Sequence, residues 1–393
     1  MSITSCKAGL RTSVAALCAL GGLSVAPASA GGFSLPPADT DILFTEGKYS
    51  IRLGGAGIFA NQGFSTIRGQ AVGYSNYADP IPAPSFAVKV KFAPELSCAF
   101  HYSYPYGIGA SYNLAAQNGQ ALSFAELGGL PNATRNIRLT SQEYGGTCAA
   151  STSIGPGRAY LLGGGFLQSV RYRESTRLGT LDIAQDGQPG YRLGLAYAIP
   201  EYAMQMQVLY RSAVDHTAKG SFTLGPLASA IGLTGGPLSA RGVGTLPQSV
   251  VVSAQTGIAP QWLVYGSFAW VNWSVLPKFD FTIDQIGPDS KALGLRDGFT
   301  TQVGVGHGFT DRLSGTVNLN FDTKTGSASF ILPASVGVGL GLEYKTDYGK
   351  ISGGVLVARV SGGAQRFAAG ATVDGTAGPG YAVVTALSYL LDF

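Results

Sequence analysis

Four arginines are the residues whose type and spacing most suggest recognition chemistry. Arg171, Arg173, Arg192 and Arg211 come from three successive segments that read as strands, and side-chain parity puts all four on the polar, inward face. Guanidinium groups converging in this way could hold a carboxylate or phosphate through charge-assisted hydrogen bonds. The other reading is an internal salt network with Glu174, Asp182, Asp186 and Asp215. Catalytic patterns are missing: there is no Gly-x-Ser-x-Gly turn, no phosphate loop and no metal-ligand spacing. His101, His216 and His307 are scattered. Ser212 and His216 are the one local nucleophile–base pair, and parity puts both on the apolar, outward face. The expectation is therefore no enzyme, no cofactor and no metal.

Two further features bear on architecture. Cys98 and Cys148 lie on neighbouring segments beside tight turns, at similar height and with compatible parity. They are candidates for a cross-strand disulfide that would clamp one sector of the wall. Tyr104-Pro105-Tyr106-Gly107-Ile108-Gly109 interrupts an otherwise strand-like segment. Proline cannot donate to a ladder, so proline followed by two glycines predicts a kink or bulge, or a strand that ends early.

The segments that position these residues recur in a rhythm. Period-two alternation marks strands at 48–58, 84–93, 95–112, 136–152, 158–173, 189–199, 201–216, 246–258, 261–275, 296–309, 311–325, 332–346, 349–360 and 379–393. Short turns, such as Pro94-Glu95, Pro200-Glu201 and Asp347-Tyr348, alternate with longer loops at 59–83, 113–135, 174–188, 217–245, 276–295, 326–331 and 361–378. In 311–325, Leu313, Val317, Leu319 and Phe321 oppose Arg312, Ser314, Thr316, Asn318, Asn320 and Asp322. In 201–216, Tyr202, Met204, Met206, Val208 and Tyr210 oppose Gln205, Gln207, Arg211 and Asp215. Such polar rows would be stranded in a soluble core but suit a wet lumen. The last strand, Tyr381 to Phe393, is long enough to cross a bilayer, which takes ~9–11 tilted residues. Trp262 and Trp270 share a face, separated by roughly 19 Å of height, which suits two aromatic girdles. The fold class expected is all-β, a transmembrane antiparallel β-barrel of 14 strands with tight turns and both termini on the periplasmic side.

The start of the chain agrees with that destination. Lys7 and Arg11 precede an apolar run from Val14 to Val25, and Ala28-Ser29-Ala30 offers a cleavage site, so 1–30 reads as a signal peptide. Residues 31–47 read as a short ordered or plugging arm, and 48–393 as the barrel. Glycine is 57 of 393 residues and charged residues only 12%, with a mean hydropathy of +0.19. Without spanning helices, this composition favours a lipid-facing surface spread over strands. Removing Lys7 and Arg11 from 26 basic residues leaves 24 against 22 acidic, so nothing calls for nucleic acid.

Several stretches together resemble the FadL family of outer-membrane long-chain fatty acid transporters, in a divergent, short form. They are Gly32-Phe33-Ser34-Leu35, Leu209-Tyr210-Arg211-Ser212, Leu246-Pro247-Gln248-Ser249-Val250, Ala259-Pro260-Gln261-Trp262, Ala269-Trp270-Val271-Asn272-Trp273-Ser274, Arg296-Asp297-Gly298-Phe299 and the terminal Phe393. The resemblance implies a monomeric fourteen-stranded barrel, a hydrophobic ligand path and a kinked third strand that opens the wall sideways. It places that opening at Pro105, Tyr106 and Gly107. It makes the arm a hatch, with Phe33, Leu35, Leu43 and Phe44 as its apolar contacts, although the family's Asn-Pro-Ala hatch motif is absent. The partners expected are outer-membrane lipid, lipopolysaccharide and a hydrophobic small molecule. The function expected is passive transport of hydrophobic molecules, fatty acids first, with Arg171, Arg173, Arg192 or Arg211 meeting a headgroup. The alternatives are a general aqueous porin and a surface receptor or adhesin.

Overall fold

The computed structural model describes residues 32–73 and 76–393; the expected signal peptide lies outside them. The described strands close into an antiparallel barrel of 14 wall strands. These are β1 (Tyr49–Asn61), β2 (Ile81–Ala93), β3 in two pieces (Leu96–Ser103 and Gly107–Ser111), β4 (Thr134–Ile154), β5 (Gly157–Thr176) and β6 (Gly179–Ile199). Next come β7 (Met204–Arg211 and Val214–Leu224), β8 (Leu238–Leu246 and Ser249–Ala259), β9 (Trp262–Val271 and Lys278–Ile283) and β10 (Gly287–Ala292 and Gly298–Gly308). The circuit ends with β11 (Leu313–Asp322), β12 (Ser335–Lys345), β13 (Gly349–Val360) and β14 (Gly380–Asp392). β14 pairs with β1 from Ser50↔Asp392 to Asn61↔Tyr381, which closes the seam between the last strand and the first.

Burial is inverted relative to a soluble protein. On β11 Val317, Leu319 and Phe321 are exposed while Thr316, Asn318 and Asn320 are buried. On β6 and β7 Leu193, Leu195, Met206 and Val208 are exposed while Arg192, Gln207 and Arg211 are buried. Exposed aromatics ring this apolar belt at two levels: Tyr49, Phe92, Tyr202, Trp262 and Phe309 near the tight turns, and Phe59, Tyr191, Phe299, Phe321 and Tyr381 near the other end. Such girdles mark the two interfaces of a bilayer.

The long-loop rim holds more structure than alternation implies. The expected loop 174–188 is strand up to a turn at 177–178, so β5 and β6 stand well beyond the girdle. The expected loops 217–245 and 276–295 likewise carry the outer pieces of β7, β8, β9 and β10. Beyond the bilayer the outer face is wet and the inner face packs Leu181, Ile183, Phe222 and Leu238, so the apolar-out alternation of the belt is inverted there. The turn-like Gln185-Asp186-Gly187-Gln188 is not a loop but a bulge, where Gln168 pairs with Gln188 and Val170 with Gln185. Gly187 takes a positive φ of 67° there.

The expected loop 113–135 contains helix α1 (Leu114–Glu126), capped by the Asn113 side chain, which accepts from Ala116 N at 2.9 Å. A four-stranded sheet from Phe64–Ile67, Gln70–Ala71, Gly363–Gln365 and Gly375–Ala377 lies against α1 through Ile67, Ala116 and Val373. Gly119 permits this approach, because an added Cβ there would stand only 2.3 Å from Ile67 Cγ2. Sheet and helix together cover the long-loop end.

The inverted pattern generates a stability test. Leu193 lies between Tyr191 and Tyr197 on the outer face of β6. Leu193→Arg should lower stability by about 2–4 kcal/mol, read from denaturant unfolding of protein folded into vesicles. An unchanged midpoint would place this face in water.

Candidate functional site

β3 is interrupted at residues 104–106, and the wall opens beside that interruption. β2 and β3 pair from Ala93↔Leu96 up to Ser85↔Ser103 and no further. The next backbone bonds between these segments are Asp79 N to Gly109 O at 3.0 Å and Ser111 N to Tyr77 O at 2.8 Å. Between them Pro80, Pro82 and Pro84 stand opposite Tyr104–Ile108. N–H groups at alternate strand positions point to one side, so three alternate prolines erase the donors along one edge. β2 remains paired with β1 on its other side, through Gly55↔Pro84 and Gly57↔Pro82. The unpaired edge therefore faces β3. A small pocket lies in this gap, lined by Leu35, Ile81, Pro82, Tyr104, Tyr106 and Ile108.

The arm supplies from inside what β2 does not. Leu35 N donates to Pro105 O at 2.8 Å, Gly107 N donates to Phe33 O at 2.8 Å, and Ser34 bridges Tyr106. From there the arm descends through the lumen. Both Asp39 carboxylate oxygens accept from Arg52 Nη1 at 2.7 Å. A single 3-10 turn, Asp41–Phe44, buries Ile42 and Leu43 against the small inward wall residues Ala87, Ala99, Ala149 and Ala196. Phe44 meets Tyr160 edge-on at 5.1 Å. Fully buried Lys89 then donates to Thr45 O, Thr45 Oγ1 and Gly47 O at 2.7–2.8 Å.

Behind the gap lies a charged cluster. Glu143 on β4 is buried between Arg192 on β6 and Arg211 on β7 and pairs with both, Arg211 Nη2 at 2.7 Å from Oε2. Phe166 takes both guanidiniums on its ring, at 4.7 and 4.6 Å from the centroid. Arg211 Nη1 also donates to Pro247 O at 3.1 Å and to the Tyr106 hydroxyl at 3.3 Å. Arg192 Nη1 is buried without a hydrogen-bond partner. Two cations thus share one carboxylate, in direct contact with the interrupted segment of β3.

Above this cluster Phe33 packs edge-on against Trp273 at 5.2 Å and Phe330 at 5.9 Å, with Tyr106 beside Trp273 at 5.3 Å. Leu246, Val271, Leu276, Leu293 and Leu295 complete this apolar core. Below the cluster, toward the tight turns, the lumen widens into a cavity of about 1180 Å³ with a mixed polar and apolar lining that reaches Arg52, Glu143, Arg192 and Glu343.

The four arginines do not converge. Arg192 and Arg211 face the interior, but Arg171 and Arg173 are on the outer face of β5, where Asp182 lies 2.7 Å from Arg171 Nη2 and 4.0 Å from Arg173 Nη1. The inward positions at that height belong to Val170, Tyr172 and Glu174, and a charge marks the inside only within the depth of the hydrocarbon. Of the expected carboxylate partners Asp182 does meet Arg171 and Arg173, but Glu143 joins Arg192 and Arg211, and Glu174 pairs with Lys291. Ser212 and His216 are buried rather than outward, because β7 breaks at 212–213 and its parity restarts; His216 Nε2 lies 3.1 Å from Gln168 Oε1. Cys98 and Cys148 are bonded, joining β3 to β4 below the gap. Residues that sequence reasoning missed include Glu143, Lys89 and the alternate prolines 80, 82 and 84. The proline spacing was a visible signal.

A closed barrel with lipid-facing aromatic girdles, a lumen threaded by its own N-terminal arm and a lapse in its wall defines an outer-membrane channel of the occluded type. Residues 63–347 match the family model described as outer membrane protein transport protein (OMPP1/FadL/TodX), and the chain belongs to that family. It is thus an outer-membrane transport barrel for hydrophobic compounds and not an enzyme. Its fold is similar to that of a FadL homologue from Pseudomonas aeruginosa, at 13% identity and TM-score 0.69 over 94% of this chain and 99% of that one. The Pseudomonas putida toluene transporter TodX aligns at 12% identity and TM-score 0.62, over 94% and 97%. The Ralstonia pickettii toluene transporter TbuX aligns at 13% and 0.59, over 89% and 90%. No curated protein matches the sequence.

The charged cluster makes its own prediction. Glu143→Gln leaves two buried guanidiniums without a counter-charge and should destabilise the barrel by about 3–5 kcal/mol in denaturant titration. Replacing Arg192 and Arg211 by Met in the same background should recover much of that loss.

Proposed function

We propose that the protein carries long-chain fatty acids passively across the outer membrane, capturing them outside and releasing them sideways through the gap beside β3. The observation that supports this reading is the contact between Arg211 and Tyr106. It joins a cationic site to the segment that lines the gap. An apolar tail fits the core around Phe33, Trp273 and Leu293, and a carboxylate fits Arg192 Nη1, whose charge Glu143 only half offsets. Phe33, Leu35, Leu43 and Phe44 act as the hatch, since the arm that carries them supplies the backbone partners of Pro105 and Gly107. Release downward is disfavoured, because the arm threads the route toward the periplasm. The same obstruction disfavours a general aqueous porin.

A second reading takes a neutral monoaromatic compound as cargo. The edge-on packing of Phe33 between Trp273 and Phe330 favours it, since a single ring of that size could take the place of the Phe33 ring. TodX and TbuX, similar in fold, are toluene transporters.

A cross-link tests the exit. A Cβ added at Gly107 would lie 3.5 Å from Ile81 Cγ2, so Ile81→Cys with Gly107→Cys should bridge the gap. Cells carrying the oxidised pair should lose uptake of labelled oleate, while each single variant imports normally; full uptake by cross-linked protein rules out lateral release. A charge removal tests the cargo. Arg192→Gln should weaken oleate binding about tenfold or more and leave toluene uptake unchanged. The reverse selectivity would favour the monoaromatic reading.

A further inference from the structure

On the outer wall, beyond the upper aromatic girdle, basic residues gather across five consecutive strands. Arg138 of β4 pairs in register with Arg173 of β5. Arg171, on the same face of β5, shares a rung with Ala184 of β6, which is also opposite Lys219 of β7. Lys219 in turn pairs with Arg241 of β8. All five side chains are exposed and point outward. Asp182 within the band is held by Arg171 and Arg173, Asp79 stands over Gly109 on the rung of Arg138, Asp280 lies on the strand beside Arg241, and Asp186 and Asp215 lie toward the membrane side. Among the described residues, Arg138, Lys219 and Arg241 form no ion pair with any carboxylate.

Two of these juxtapositions work against the fold. Arg138↔Arg173 and Lys219↔Arg241 are like charges directly opposite each other on neighbouring strands, an arrangement that destabilises a sheet. An anion lying across the strands would convert each repulsion into an attraction. The position says which anion. On the outer face the girdle tyrosine Tyr191 sits beside Gly165 of β5, and Arg171 lies six residues further along that strand. At ~3.3 Å per residue and ~45° tilt, the band stands roughly 14 Å above the girdle. It therefore lies at the level of the sugars that head an outer-leaflet glycolipid, directly above the apolar belt of Leu161, Leu167, Leu193 and Leu195 that would contact its acyl chains.

We propose that this band is a docking strip for the phosphorylated sugar headgroup of lipopolysaccharide. The phosphates bridge the like-charge pairs, and the acyl chains lie on the belt beneath. Arg138 also lines the gap pocket beside β3, whereas Arg171, Arg173, Lys219 and Arg241 lie outside it and face away from the lumen, so the strip is separate from the transport path at those four positions.

The test uses purified full-length protein in lipid nanodiscs and rough lipopolysaccharide with phosphorylated inner-core sugars. The controls are the same glycolipid after hydrogen fluoride dephosphorylation, and inorganic phosphate alone. The phosphorylated form should bind and raise the unfolding temperature, whereas the dephosphorylated form and free phosphate should not. Arg138→Ser, Arg173→Ser, Lys219→Ser and Arg241→Ser should each weaken binding about fivefold, and Arg173→Ser, Lys219→Ser and Arg241→Ser, which lie outside the gap, should leave oleate uptake unchanged. Equal binding of phosphorylated and dephosphorylated glycolipid overturns the proposal, even if a variant fails to fold. Wild-type affinity in the folded quadruple variant overturns it as well. A stabilisation reproduced by inorganic phosphate would reduce the strip to a general anion site and overturn the glycolipid assignment.

Discussion

The requirement that governs this molecule is that hydrocarbon offers no hydrogen bonds. Every N–H and C=O within the bilayer must find a partner in the protein, which forces the strands into a closed cylinder. The in-register pairing of β14 with β1 meets that demand at the seam. Against this background the lapse between β2 and β3 carries weight. Proline at three alternate positions removes the donors along one edge, and the opposing strand turns inward at residues 104–106 to find partners elsewhere. The gap is a place where pairing has been redirected into the lumen rather than abandoned.

A second constraint shapes the interior. Charges enclosed by a barrel must be matched or wetted. Arg52 and Lys89 are matched by the arm, through Asp39 and the carbonyls of Thr45 and Gly47. The arm is thus held by polar contacts at its lower end, by Ile42 and Leu43 in its middle, and by strand-like bonds to β3 at its upper end. Arg192 and Arg211 are matched by Glu143 alone, which leaves a positive excess in the one enclosed cluster that touches the gap. Among the described residues, the interior is most completely compensated where the arm is anchored and least so where the wall is open.

The barrel was legible because the bilayer imposes a two-residue period that no other environment would tolerate. Val317, Leu319 and Phe321 against Thr316, Asn318 and Asn320 could be read without coordinates. The same logic failed wherever the bilayer was absent. Arg171 and Arg173 were assigned inward because charges avoid lipid, yet they stand above it, where an outward charge meets water. The strands at 179–188 and 287–292 fall within expected loops for the same reason. Glu143 sits at an inward position of β4, but only the register of β4, β5 and β6 shows that it reaches Arg192. Parity gives the face a residue points to, whereas contact across strands depends on stagger, which bulges and breaks can shift.

The arm and the gap are best understood as one element. Leu35 N and Gly107 N bond across to β3 and the arm, so the interrupted strand depends on the arm for backbone partners that β2 withholds. If the arm left, Pro105 O and Gly107 N would be exposed toward the lumen, and the apolar face of Leu35 would vacate the gap pocket. Each net hydrogen bond is worth only about 1 kcal/mol, so the upper end of the arm could detach at modest cost while the Lys89 and Arg52 anchors hold the lower end. Any ligand that competes for Arg211 disturbs Tyr106, and Tyr106 is the residue that Ser34 of the arm bridges. Tyr106 thus meets the charged cluster through its hydroxyl and the arm through its backbone, so one residue beside the gap touches both.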